Sequence, residues 1–205
     1  MSAGARFEPG SESDGIRSGL ELPQIVIENT QPVVDFGQQP AKAVVGQLLK
    51  VTSHAYCLTS GPLAVIVRWR HVDSSDGDSL HLHTLGNRVW YGQILIDQPG
   101  PHVFCIDAWI DSYGGFCLAL EKAVQSGEPP QSLIDTGLAH IVQALARCDE
   151  ERQHPLQALH HHVRRLSPPE QIACLMNERT KALMRDAQPR TCLTLSPEYP
   201  LYVVR

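Results

Sequence analysis

The fold is decided by a stretch that reads Leu85-Gly86-Asn87-Arg88-Val89-Trp90-Tyr91-Gly92. Gly86 and Asn87 both tolerate positive φ, which a tight reversal between two strands requires. Because the residues on either side are rich in β-branched, aromatic and aliphatic side chains, the sequence predicts a hairpin from Leu80 to Ile96. A further aromatic strand-like run ends in Trp109-Ile110-Asp111.

Short extended runs separated by turn residues occur on both sides of this hairpin. In the run 63–70, odd and even positions are expected on opposite faces of a strand, and the odd ones are all apolar. Such a series of short strands is typical of an antiparallel β-sandwich. The predicted strands cover residues 24–28, 46–56, 63–71, 79–85, 88–96 and 102–110.

The spacing of apolar residues becomes helical after Tyr113-Gly114-Gly115. A first helix is predicted over about 115–126 and a second over about 130–148. Pro155 is suited to the start of a third helix, and Ser167-Pro168-Pro169-Glu170 has the spacing of a capping box at the start of a fourth that continues to Leu183. The predicted fold class is therefore α+β, a β-sandwich followed by a small helical bundle.

These patterns divide the chain into four parts. Residues 1–22 are rich in Gly, Ser and charge and are expected to be a disordered tail. The sandwich is expected over 23–112 and a helical insertion over 113–188. Residues 189–205 are expected to be extended, since residues that precede Pro avoid the helical region.

Composition excludes several classes of partner. A net charge of −5 argues against nucleic acid, which needs a concentration of Lys and Arg on one face. No run approaches the roughly 18–20 apolar residues that cross a bilayer, so no membrane partner is expected. The first twenty residues lack the apolar core of a signal peptide, and the expected location is the cytoplasm. The six cysteines contain no C-x-x-C pair and are expected to be reduced thiols.

No catalytic residue, metal site or cofactor is predicted. The run His160 to His162 invites a metal interpretation, but consecutive helical residues point about 100° apart and cannot all face one ion. The sequence contains no G-x-S-x-G elbow, Walker A sequence, dinucleotide-binding glycine set or H-E-x-x-H. The sequence therefore contains no recognisable motif for nucleophilic or metal-assisted catalysis.

The aromatic residues offer weak candidates for carbohydrate binding. Trp69 and Trp109 continue apolar stripes and are expected in the core. Trp90 and Tyr91 are adjacent on one predicted strand, so one of them must point outward. An outward ring could stack on the apolar face of a sugar, although such rings serve packing more often than binding. Trp90 and Tyr91 are thus the candidate carbohydrate-binding residues.

An ordered series of segments resembles one family along most of the chain. The series resembles the N-terminal region of bacterial α-1,4-glucan:maltose-1-phosphate maltosyltransferases, which are relatives of the α-amylases. The segments are Ile25-Val26-Ile27-Glu28, Pro32-Val33-Val34-Asp35, Pro40-Ala41-Lys42-Ala43-Val44-Val45-Gly46, Leu85-Gly86-Asn87-Arg88-Val89-Trp90, Ala108-Trp109-Ile110-Asp111, Leu120-Glu121-Lys122 and Ser196-Pro197-Glu198-Tyr199-Pro200-Leu201.

The resemblance implies an immunoglobulin-like sandwich with a helical insertion that together contribute to a homodimer interface. It implies that the full-length enzyme transfers maltosyl units from α-maltose 1-phosphate to the ends of α-1,4-glucans, by a retaining double displacement on a (β/α)₈ barrel. Such a barrel takes about 250 residues, so no catalytic residue carries over and the chain alone is expected to be inactive. The segment 112–116 departs from the family's usual Trp- and Arg-containing stretch.

Two functions of other classes stay open beside this one. The chain could be a free-standing module that holds α-glucan through an outward aromatic ring. It could also be a dimerisation scaffold, because the helices offer more apolar surface than one flank of a sandwich covers.

Overall fold

The computed structural model describes residues 25–59 and 61–205, so the tail expected over 1–22 lies outside the described residues. Strands and helices follow one another as the α+β prediction requires. A 3₁₀ turn lies at Asp35–Gly37. The strands are β1 (Ile25–Gln31), β2 (Ala41–Val44), β3 (Leu48–Cys57), β4 (Leu63–His71), β5 (Asp78–His81), β6 (His83–Gly86), β7 (Val89–Leu95), β8 (Gly100–Ile110), β9 (Thr191–Leu195) and β10 (Tyr199–Val204). The helices are α1 (Ser112–Ser126), α2 (Gln131–Leu145), α3 (Glu150–Val163), α4 (Pro168–Met176) and α5 (Glu178–Ala187).

The strands form two sheets that share one core. The smaller sheet has the order β1-β3-β7-β6, and the larger has the order β2-β10-β8-β4-β5 with β9 added beside β8. All pairs between these strands are antiparallel except β2 with β10, which are parallel. The core between the sheets holds Val51, Ala55 and Ile94 from the smaller sheet and Val65, Val67, Phe104, Ile106, Ala108, Leu201 and Val203 from the larger.

The hairpin around Gly86 forms, but its turn lies one residue later than predicted. Gly86 pairs with Val89, so the two central residues are Asn87 and Arg88, with φ of 49° and 66°. Two positive φ values at the centre define the type I′ turn that matches the twist of the flanking strands. The sequence favoured Gly86 at the centre because glycine carries no steric penalty there.

The single strand predicted over 79–85 is wrong. Leu82, which is buried, separates β5 from β6, and the two strands belong to different sheets. The Leu82 backbone N–H donates to the Val65 carbonyl oxygen at 2.8 Å, which fixes the crossing point. Alternation within the segment could not reveal this change, since both halves keep extended geometry.

Two helix boundaries also differ from the prediction. Helix α3 begins at Glu150, before Pro155, because the Asp149 side chain accepts from the Arg152 N–H and caps the first turn. The predicted fourth helix is two helices, since Asn177 adopts extended geometry after α4 and its side chain accepts from the Arg179 N–H to start α5.

The predicted capping box at the start of α4 is confirmed. The Glu170 carboxylate accepts from both the Ser167 N–H, at 2.9 Å, and the Ser167 hydroxyl. This interaction lowers the pKa of the exposed Glu170 carboxyl, because both hydrogen bonds favour its charged form. The helix start is therefore fixed by residues that are adjacent in the sequence.

The helices pack around a second core. Its buried members include Tyr113, Phe116, Leu120, Ile141, Leu156, Val163, Leu175 and Met184. Gly137 lets α2 approach its neighbours closely, since a Cβ there would lie 2.6 Å from the Phe116 Cζ and 2.9 Å from the Leu175 Cδ1. The Tyr113 hydroxyl donates to the Leu175 carbonyl oxygen at 2.9 Å. No helix in the described part of the chain is long and apolar enough to cross a membrane.

After the helices the chain returns to the larger sheet. The region 189–205, expected to be extended, supplies β9 and β10, which both pair with β8. A buried carboxylate lies at this return. Asp107, whose side chain is 2% exposed, accepts from the Arg68 Nε at 2.7 Å and Nη2 at 3.1 Å, and the Arg190 Nη1 lies 3.6 Å away. The hydrogen bond to Asp107 raises the pKa of Arg68.

Removing one partner of this buried carboxylate is expected to destabilise the fold. The Arg68→Met substitution should lower the free energy of unfolding by about 2 kcal/mol or more, because the buried Asp107 carboxylate loses both hydrogen bonds that Arg68 donates to it. Arg70→Met is the matched control: it breaks the exposed pair with Glu198, and the expected change is within about 1 kcal/mol. Urea unfolding of both variants measures the difference, and equal losses would contradict the assignment.

The close approach at Gly137 predicts a different kind of instability. Gly137→Leu should lower the free energy of unfolding by about 1–3 kcal/mol, since the added side chain overpacks the contact with Phe116 and Leu175. Ala139→Leu, at an exposed position of the same helix, should change it by less than about 0.5 kcal/mol. Thermal unfolding followed by circular dichroism distinguishes these outcomes, and a stable Gly137→Leu variant would show that the helices have room to separate.

Candidate functional site

Trp90 faces the inside of the fold. It lies opposite Ser53 on β3, which is fully buried, and its ring packs against the core between the sheets. Its indole N–H donates to the Ala55 carbonyl oxygen at 3.0 Å. Because the Trp90 ring packs against the core and its indole N–H is already hydrogen-bonded, the side chain has a structural role in this position.

Tyr91 faces outward on the smaller sheet, because it follows Trp90 on the same strand. It lies opposite Thr52 on β3 and His83 on β6. The Lys50 Nζ is 5.4 Å from the centroid of its ring, a cation–π distance. Of the two candidates, Tyr91 is the one that the register places on the outer face, with a cation near its ring.

Tyr56 has the same kind of neighbour as Tyr91. The Arg88 guanidinium carbon lies 4.3 Å from the centroid of its ring. A cation in this position covers a face that a sugar would otherwise contact. On the outer face of the smaller sheet, both tyrosine rings therefore have a cation near one of their two faces.

Trp109 and Trp69 differ from each other in their surroundings. Trp109 is 2% exposed, as a core residue should be, but it packs with Ala64 and Ile66 on the outer face of the larger sheet. The Arg190 guanidinium carbon lies 4.5 Å from the centroid of its indole. Trp69 is partly buried against the core between the sheets. The apolar positions along each strand predicted that both Trp side chains are buried. Only the pairing of β8 with β4 shows which face of the larger sheet each ring lies on.

Phe36 was missed by the sequence analysis and is the most exposed large apolar residue of the described chain, at 97%. It lies in the 3₁₀ turn, where Asp35, Phe36 and Gly37 have φ of 49°, 53° and 87°. Left-handed geometry costs about 1–2 kcal/mol for an ordinary residue, so the turn is strained. A lone aromatic residue between Asp and Gly, with Pro32 and Pro40 on either side, was the available signal.

The turn that carries Phe36 is closed by backbone hydrogen bonds. The Gly37 N–H donates to the Val34 carbonyl oxygen at 2.9 Å, and the Gln38 N–H donates to that of Asp35 at 2.9 Å. A bridge between Val34 and Gln39 joins the two sides. These contacts hold the left-handed residues in place and fix the backbone from which the Phe36 side chain projects.

An open groove of about 690 Å³ lies beside Phe36, within the roughly 300–1,000 Å³ of small-molecule sites. It is formed by the end of β1, the turn, and the segment before β10. The Glu198 carboxylate in its wall accepts two hydrogen bonds from the Arg70 Nη2, both at 3.2 Å. The groove is lined by Asn29, Thr30, Gln31, Val33, Asp35, Phe36, Gly37, Pro197, Glu198 and Tyr199.

The buried titratable groups do not have the environment of nucleophiles. Burial raises the pKa of the Cys105 thiol and of the Cys117 thiol to about 11 each, so both are protonated near neutral pH. Burial also raises the pKa of Tyr113 and, with Arg185 nearby, lowers that of His81. Among residues 25–59 and 61–205 no group of three or more His, Cys, Asp or Glu side chains could hold a metal ion.

Comparison with known proteins identifies relatives along most of the chain. A relative from Pseudomonas aeruginosa, an alpha-1,4-glucan:maltose-1-phosphate maltosyltransferase, is 30% identical over 95% of this chain and 30% of its own length. Proteins of the same name from Myxococcus xanthus and Salinibacter ruber are 27% and 25% identical, over 64% and 88% of this chain and 20% and 27% of their own lengths. The chain thus spans less than a third of each of these relatives.

The family profile that matches the chain covers residues 23–205 and describes alpha-1,4-glucan:maltose-1-phosphate maltosyltransferase, domain N/S. This match covers both sheets and all five helices of the described structure. It confirms the resemblance seen in the ordered segments of the sequence. The chain therefore belongs to the N/S-domain family of the alpha-1,4-glucan:maltose-1-phosphate maltosyltransferases.

Proposed function

We propose that this chain is a non-catalytic N-terminal region of a cytoplasmic maltosyltransferase and that it acts in assembly rather than in chemistry. The observation that carries the proposal is the match of the domain N/S profile to residues 23–205. The whole enzyme would use α-maltose 1-phosphate and α-1,4-glucan. The raised pKa values of the buried thiols support a structural role for these residues.

We also propose that residues 23–112 together with the returning strands form an immunoglobulin-like sandwich, and that 113–188 are an insertion into it. The order β1-β3-β7-β6 matches the A-B-E-D sheet of that fold, and β10-β8-β4-β5 matches G-F-C-C′. On this assignment the helices occupy the connection between strands F and G. The parallel pairing of β2 with β10 supports the same topology.

Homodimer formation is the assembly role that this proposal favours. Several apolar side chains of the described chain are about half exposed on the helices and on β9, among them Leu118, Val124, Val142, Leu193 and Leu195. Apolar side chains are enriched in the buried centre of homodimer interfaces. Sedimentation equilibrium over a concentration series should give the mass of a dimer. A monomer mass at the highest concentration would contradict homodimer formation.

The non-catalytic role predicts no turnover by the isolated chain. With α-maltose 1-phosphate and a maltooligosaccharide, the 205-residue chain should release no phosphate above the rate without protein. The full-length Pseudomonas aeruginosa relative serves as the positive control for the assay. Phosphate release that scales with the concentration of this chain, and survives repeated purification, would contradict the proposal.

The second candidate function is α-glucan binding, which the outward orientation of Tyr91 supports. Tyr91→Ala should then weaken retardation of the chain in a native gel that contains glycogen, while the free energy of unfolding changes by less than about 1 kcal/mol. Trp90→Ala is the matched contrast, because loss of its partly buried ring, which packs against the core, should cost about 2–4 kcal/mol of stability. If Tyr91→Ala migrates as the unmodified chain does, Tyr91 is not a glucan contact.

A further inference from the structure

We propose that the groove beside Phe36 binds a segment of α-1,4-glucan, with the Phe36 ring as the surface on which a sugar ring stacks. This inference rests on the proposed function for the class of ligand, but it assigns a site that neither Trp90 nor Tyr91 belongs to. Three observations support it: the exposure of the ring, the rigidity of the turn and the chemistry of the groove.

The ring of Phe36 is available on both faces. It is 97% exposed, and among the described residues no cation or aromatic ring lies over it. The outward tyrosines of the smaller sheet differ in this respect, since Lys50 and Arg88 lie near their rings. An aromatic ring with an open face is what a sugar needs for contact through its C–H groups.

The turn fixes the backbone position of Phe36 at the edge of the groove. Asp35 and Phe36 have positive φ, and hydrogen bonds from Gly37 and Gln38 to the carbonyl oxygens of Val34 and Asp35 maintain this geometry. Strained residues of this kind persist where the surrounding structure fixes them, and they concentrate at binding sites. Because the backbone of the turn is already ordered, it loses little conformational entropy when a ligand binds.

The groove wall has the polar groups that hydroxyls require. The side-chain amides of Asn29 and Gln31 each offer two N–H donors and an acceptor oxygen. Asn29, Gln31 and Asp35 are all exposed in the groove. The Asp35 and Glu198 carboxylates can accept from neighbouring hydroxyls, as carboxylates with several lone-pair positions do. This combination of amides, carboxylates and an aromatic ring suits a neutral polyhydroxylated ligand.

The charge of the groove excludes phosphorylated ligands. Asp35 and Glu198 line it, and among residues 25–59 and 61–205 no Lys or Arg belongs to its lining. The Arg70 guanidinium is paired with Glu198. A phosphate group would meet uncompensated repulsion from Asp35, so we assign the groove to the glucan polymer and not to maltose 1-phosphate.

Glycogen affinity electrophoresis of the 205-residue chain tests the assignment. The unmodified chain should be retarded, and Phe36→Ala should raise its apparent Kd by about tenfold, since an aromatic stacking contact is lost. Phe36→Trp should retain binding. Leu48→Ala is the control, because Leu48 is exposed but lies outside the groove. Circular dichroism of each variant establishes that it is folded.

Each other outcome overturns the assignment. Equal retardation of Phe36→Ala and the unmodified chain would show that the groove is not the glucan site. A loss of retardation in Tyr91→Ala alone would place glucan binding on the smaller sheet. No retardation of the unmodified chain would also overturn the assignment of the groove. That result would not affect the proposed assembly role, which the phosphate-release and sedimentation experiments test separately. If Phe36→Ala instead lowers the sedimentation mass, Phe36 contacts a second copy of the chain and not a glucan.

Discussion

The structure depends on one constraint, which is that the helical region must begin and end at the same point on β8. Ile110, the last residue of β8, pairs directly with Thr191, the first residue of β9, so the residues between them form a closed excursion from the larger sheet. At the start of the excursion the Asp111 side chain accepts from the Gly114 N–H and caps α1. At its end Arg190 lies over Trp109 and near Asp107. Closing a loop of this length has an entropic cost that grows only slowly with length, and the contacts at both ends, together with the helical core, offset it.

Local patterns in the sequence predicted those parts of the fold that depend on neighbouring residues. Alternation in the run 63–70 predicts β4 with its two faces, and Ser167 with Glu170 predicts the start of α4, because the relevant contacts are a few residues apart. The change of sheet at Leu82 and the pairing of β2 with β10 depend on partners far away in the chain. The break at Asn177 has a local signal, because its side chain accepts from the Arg179 N–H, but the apolar spacing across it continues as in one helix. Propensity and period carry no information about such partners, so they were not predictable from these patterns.

The candidate site shows the same division between local and distant information. Adjacent positions of a strand point to opposite faces, so the sequence established that Trp90 and Tyr91 differ; the pairing of β7 with β3 decides which of them faces outward. Phe36 was not recognised because an aromatic residue in a short polar loop resembles any other surface residue until its backbone is known. Its left-handed φ and its exposure are properties of the folded turn. The groove beside it combines the end of β1 with the segment before β10, which are remote in the sequence.

The parallel pairing of β2 with β10 has a consequence for the order in which the protein folds during synthesis. The four strands of the smaller sheet are complete once the ribosome has passed Leu95. In contrast, β2 ends at Val44, and its partner β10 begins at Tyr199, so more than 150 residues are made before the hydrogen bonds that join β2 to the larger sheet can form. During that interval the edge of the larger sheet has unpaired backbone N–H and C=O groups. Such edges promote misfolding and aggregation of nascent chains. The helices, whose contacts are mostly local, have time to form first and to bring β9 and β10 back to the sheet.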